Sequence, residues 1–119
     1  MEPEVVPTAT LPVLEYEAGI EHVGDALDII GSCSGHDTDR VLLHSSALPA
    51  DFFDLSTRFA GEFLQKLVNY RVRVAGLFEE REGYSERFRE FLYEAGRGQQ
   101  FRAFETRAEA LAWLEAGDS

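Results

Sequence analysis

Asp54, Ser56 and Arg58 place an acid, a hydroxyl and a cation within five residues, just ahead of an apolar-periodic run. At a helix start, Asp54 or Ser56 can accept hydrogen bonds from the free first-turn amides, a cap worth about 1 kcal/mol. A serine there is also a place for a phosphate, which adds roughly −1.5 to −2 charges at the helix's positive end. Arg58 is close enough in sequence to pair with it. Further along the same run, Gln65, Lys66, Asn69 and Tyr70 gather polar groups near one helix end. They suit a pocket rim or a partner surface. The plainer reading pairs Lys66 with Glu62, ends the helix at Asn69 and packs Tyr70 with its hydroxyl outward.

Glu79 follows an apolar strand-like run, with Tyr84 soon after it. Ligands of open α/β sheets bind past the carboxyl ends of the strands, so these two with Arg97 are candidate pocket groups. A carboxylate needs a partner or burial to act as a general base, and the sequence supplies none for Glu79. A solvated charge run is the simpler account. Glu94-Ala95-Gly96-Arg97-Gly98 reads as a helix exit with Gly96 as a left-handed cap, and Arg97 could also hold an anion. Cys33-x-x-His36 with Asp37 has ligand-like spacing, but a structural zinc site wants four ligands, and His22 and His44 are not arranged to complete one. No metal or other cofactor is expected. Cys33 lacks the neighbouring cations that activate a thiol. Gly-rich phosphate loops, a Gly-x-Ser-x-Gly elbow and a helical His-Glu-x-x-His are absent from the sequence.

The elements that must position these residues alternate. Residues 1–12 hold three of the four prolines and read as an arm, with Val5-Val6 a short edge strand. Residues 13–17 form a strand. Val23, Ala26, Leu27 and Ile30 then fall on one helical face, and the 31–35 glycine and serine cluster ends that helix as a turn. Residues 40–44 are a strand whose continuous apolar centre suits cover on both faces. Residues 52–70 read as one amphipathic helix with Phe59, Ala60, Phe63, Leu64, Leu67 and Val68 inward. A strand at 72–78, a helix through Tyr84, Phe88, Phe91, Leu92 and Ala95, and a strand at 100–104 follow. Thr106 and Glu109 make a capping box for a last helix carrying Ala110, Leu111 and Leu114. Four alternations of strand and helix predict an α/β fold, a small and mostly parallel sheet with helices on both faces. Residues 13–116 form the single domain, and Leu27, Ile30, Leu42, Phe63, Leu67, Val74, Phe88, Leu92 and Leu111 its core.

The 119 residues and 45% apolar content suit one core. One cysteine excludes an internal disulfide and fits a reducing cytoplasm. No apolar run approaches a membrane span, and the acidic, proline-bearing start does not resemble a signal peptide. A net charge of −11, with no cluster of basic residues along the chain, argues against nucleic acid and anionic membranes as partners.

The block from Phe52 to Tyr70 resembles a bacterial family known as domain of unknown function 4180, whose members carry FFDL-x-T-G-x-AGE-x-x-QK-x-x-NY. The likeness extends from about Leu11 to Leu114. Phe78-Glu79 stands where that family has Gly-Asp, and Glu94-Ala95-Gly96-Arg97-Gly98 where it has Glu-Ser-Asn-Arg-Gly. The 53–57 turn is also similar to the Asp-Ser-Ser-Gly turn of STAS domains, the anti-sigma-factor antagonists. There a serine is phosphorylated to switch partner binding, and Ser56 is the residue that carries the likeness. The resemblance implies a STAS-like fold and a non-enzymatic regulatory or interaction module, binding a protein partner or a small molecule near the second long helix. A homodimer is left open. The alternative is a small enzyme or ligand carrier of bacterial metabolism with a pocket at the carboxyl ends of the strands.

Overall fold

The computed structural model describes residues 1–116. Five strands lie side by side in chain order: β1 (Glu4–Val6), β2 (Val13–Tyr16), β3 (Arg40–His44), β4 (Arg73–Leu77) and β5 (Phe101–Phe104). β1 pairs antiparallel with β2, and the other neighbours are parallel, with Leu14 beside Val41, Val41 beside Val74 and Val74 beside Phe101. The expected α/β sheet is present, and the arm supplies its antiparallel edge.

Period-2 alternation divides the strand residues between two cores. Leu14, Tyr16, Val41, Leu43 and Val74 face α1 (Asp25–Gly35), α3 (Phe59–Asn69) and α4 (Glu86–Ala95) in the larger core. Val13, Leu42, Ala75 and Leu77 face α5 (Arg107–Ala116), through Ala110 and Leu114. Crossovers of one hand through a sequential strand order put their helices on one face. α5 follows the last strand and is free to cover the other face alone. Helices thus lie on both faces, α1, α3 and α4 against α5.

Three local expectations are corrected. α1 does not stop at residues 31–35 but runs through to Gly35, and Asp37, at φ 54°, makes the left-handed exit. The buried positions are Ala26, Ile29 and Cys33, with Ile30 half-buried, so Leu27 is 52% exposed rather than core. Packing of that face outweighs the roughly 1 kcal/mol that each internal glycine costs. Gly96 ends α4 at φ −82°, an ordinary right-handed backbone rather than the left-handed cap expected. Finally, residues 52–70 are not one helix. They divide into α2 (Ala50–Phe53), a 3-10 turn at Leu55–Thr57, Arg58 at φ 65°, and α3. The predicted core is otherwise found, with Leu42, Phe63, Leu67, Val74, Phe88 and Leu92 buried and Leu111 half-buried.

Candidate functional site

The break between α2 and α3 rests on aromatic packing. Phe52, 1% exposed, lies within 5.6–6.4 Å of the rings of Phe53, Phe59, Phe63, Phe78 and Phe88. Both flanks of the 54–58 turn are therefore anchored in the core, while Asp54, Ser56, Thr57 and Arg58 are exposed. Asp54 Oδ1 accepts from the Ser56 amide at 3.1 Å and from the Ser56 hydroxyl at 2.7 Å. These bonds hold the Asp54 carboxyl below the usual range, the hydroxyl bond contributing most.

Thr57, which the sequence reading passed over, fastens the start of α3. Its hydroxyl donates to the carbonyls of Asp51 and Asp54 at 2.7 and 2.8 Å and accepts from the Phe59 amide at 3.2 Å. Ser56 is not the cap. Its side chain bonds Asp54 alone among the described residues and faces a depression of about 420 Å³ shared with Phe53, Leu55, Ser85 and Arg87. Ser85 caps α4, accepting from the Phe88 amide at 3.1 Å.

Arg58 stands at the glycine of the FFDL-x-T-G block and keeps a glycine-like backbone at φ 65°. Thr57, the threonine of that block, is the residue that bonds both sides of the turn. The wording of the block thus has a direct structural cause, and the match extends along the chain: the domain of unknown function DUF4180 covers residues 7–114. The chain belongs to the DUF4180 family. No curated protein and no solved structure matches it.

The other residues singled out in this DUF4180 chain lie apart from the turn. Gln65 donates to Asn69 Oδ1 at 2.8 Å on the exposed side of α3, Lys66 is half-buried, and Tyr70 is 61% exposed. Beside them α3 and α4 leave an apolar groove of about 300 Å³ floored by Leu64, Val68, Phe91 and Phe101. Glu79 is exposed after β4. Tyr84 does not line a pocket with it, but stacks on Phe53 at 5.4 Å. Phe78 replaces the family's glycine and is 1% exposed, and its ring lies where a side chain on Gly76 would sit, 2.5 Å from an ideal Cβ. Glu94 and Arg97 form an exposed ion pair at 3.4 Å.

Arg97 also joins a group that the sequence reading did not see. With Arg81, Arg89 and Arg102 it lines an open cleft of about 450 Å³ between α4 and β5. The basic residues are scattered along the chain, yet the fold gathers four of the 11 at one place. Only the fold brings them together, because Arg81 comes from a 3-10 turn, Arg89 from α4, Arg97 from a loop and Arg102 from the edge strand β5.

A second unforeseen constellation lies at the carboxyl ends of β2 and β3, on the α5 face. Glu15, 4% exposed, accepts two bonds from the Arg107 guanidinium at 2.8 Å and one contact from His44 Nε2 at 2.5 Å. The Arg107 bonds, aided by His44 and opposed by burial, lower its pKa to about 2. Glu15, Glu17 and His44 bring one ligand atom each within 4.8 Å of the others. Both Glu15 oxygens are already engaged by Arg107, so the cation in this cluster is a guanidinium. A glutamate on the inward beat of an apolar strand was the one signal in the sequence. Cys33 and His36 do not converge: Cys33 is buried, its thiol pushed up to about 11 by burial, and His36 is exposed with Nδ1 on the Ser32 carbonyl.

Proposed function

We propose that this protein is a STAS-like, non-enzymatic regulatory module of the bacterial cytoplasm that binds a protein partner at the 54–58 turn and the adjoining face of α3. One observation carries the reading: Ser56 is an exposed serine with no capping duty, held on a fixed turn by neighbours that do have one. The arrangement of α1, α3 and α4 against α5, with the turn between β3 and the helix that crosses to β4, supports the likeness to anti-sigma-factor antagonists.

The geometry gives the switch a physical form. In the unmodified turn the Ser56 hydroxyl donates to Asp54. A phosphate on Ser56 removes that donor and sets two anions against each other, which opens the turn. Arg87, across the same depression, and Arg58, two residues on, are the guanidiniums available to hold it. The surface presented to a partner then changes in both charge and shape. The depression beside Ser56 is not an enclosed apolar cavity, which suits a partner surface better than the pocket of a small enzyme. A chain of −11 charge has no general attraction for nucleic acid or anionic membrane, so a protein is the partner proposed.

The test uses tagged wild type, Ser56→Asp and Ser56→Ala expressed in the native host at equal levels. A partner that co-purifies stoichiometrically with wild type and Ser56→Ala, and is lost or exchanged with Ser56→Asp while the melting temperature holds, supports the reading. Identical partner occupancy in all three contradicts it.

A further inference from the structure

We infer that the cleft between α4 and β5 is a binding site for a compact, multiply charged phosphate-type oxyanion, the diphosphate or triphosphate group of a small molecule. The inference stands apart from the Ser56 reading, because it rests on other residues and another depression.

Four arginines, Arg81, Arg89, Arg97 and Arg102, line one opening of about 450 Å³ in a chain whose net charge is −11, the Arg102 guanidinium lying toward Trp113 at its β5 edge. Like charges placed together repel, and nothing in a strongly acidic protein demands that its few cations be gathered. Their donors are also poorly used. The Arg81 Nε is buried with no hydrogen-bond partner among the described residues. Arg89 reaches the Arg81 carbonyl, and Arg97 reaches Glu94, only at 3.4 Å each. Arg102 lies over the Trp113 ring at 5.7 Å. A guanidinium fork matches phosphate oxygens two at a time, so several forks around one cleft suit a group with many oxygens.

The site also has an apolar component. Leu92 and Ala103 lie between the arginines, and Tyr93, 73% exposed, stands at the rim as a ring on which a ligand's planar group can stack. The volume is in the range of small-molecule sites. An acidic protein segment fits less well. Its charges spread over a length greater than the Debye length of about 8 Å and so meet the surrounding field. Beside the cleft that field includes Glu86, Glu90 and Glu94. A compact anion keeps its whole charge beside the cleft arginines.

The experiment titrates the full chain at near-physiological salt with inorganic pyrophosphate, with ADP, and with a glutamate-rich peptide, read by calorimetry and by amide chemical shifts. Saturable binding of pyrophosphate and ADP, with shifts centred on residues 89–103, is expected. ADP should bind more tightly if Tyr93 contributes, and Tyr93→Ala should remove that gain. Arg89→Gln with Arg97→Gln should weaken pyrophosphate at least tenfold at an unchanged melting temperature. Arg71→Gln, at an exposed arginine outside the cleft and outside the 54–58 turn, should leave it unaltered. Should the double variant misfold, Arg89→Lys and Arg97→Lys, which keep charge but lose the fork, provide the same comparison at a smaller loss. Binding of the peptide but not of pyrophosphate, equal binding by wild type and cleft variants, or no saturable binding would each overturn the inference.

Discussion

Within the 54–58 turn, structural duty and functional availability fall on different residues. Asp54 and Thr57 hold the backbone, and Ser56 points outward. Thr57→Ala should therefore cost about 0.5–2 kcal/mol, as loss of a helix-start hydroxyl does, and Ser56→Ala should stay within about 0.5 kcal/mol of wild type. Urea denaturation of the two variants checks this, and a reversed order would show that Ser56 is the cap after all. Arg58 offers a second check. Its φ of 65° is strained for any residue with a side chain. Arg58→Gly should stabilise the protein by about 0.5–1 kcal/mol, the relief of strain exceeding the added freedom of the unfolded chain. A fall in the urea midpoint would contradict that. The sequence showed that a helix begins near these residues, but not which one caps it, because Asp, Ser and Thr are all competent and only geometry selects among them.

Among the elements, α5 has the least familiar anchor. A cation in the first helical turn opposes the helix dipole, yet Arg107 opens α5. Its bidentate bond to the buried Glu15 compensates and ties the helix across β2. Because the folded Glu15 titrates at about 2 rather than at its ordinary 4.5, this stabilisation is complete above about pH 4.5 and is lost as pH falls toward 2. Solvent at the half-exposed Arg107 screens part of that difference, leaving on the order of 1–3 kcal/mol. Arg107→Gln should raise the Glu15 pKa and move acid unfolding to higher pH, an outcome readable by circular dichroism across an acid titration. An unshifted acid midpoint would mean that His44 alone holds the carboxylate. The break after Phe53 and the continuation of α1 through glycines were hidden for a common reason. Local residue preference marks breakers, but burial of Phe52 in one case and of Cys33 in the other decides where the helix runs.

Across the whole molecule, local signals along the chain carried the fold class, the five strands and most of the core, because alternation between strand and helix periods is read residue by residue. The placement of α1, α3 and α4 against α5 needed the strand order, which no local pattern contains. The two charged constellations needed the folded chain as well: Glu15 and Arg107 are 92 residues apart, and the cleft arginines come from a 3-10 turn, a helix, a loop and an edge strand. The turn was legible in sequence through its likeness to other families, and the proposed switch depends on Ser56 within it. Native mass spectrometry and phosphopeptide mapping of the protein taken from its own host test that claim most directly. A fraction of chains should carry one phosphate, located on Ser56, with the stoichiometric partner confined to only one of the two forms. Chains that carry no phosphate under any growth condition, or a partner bound equally to both forms, would contradict it.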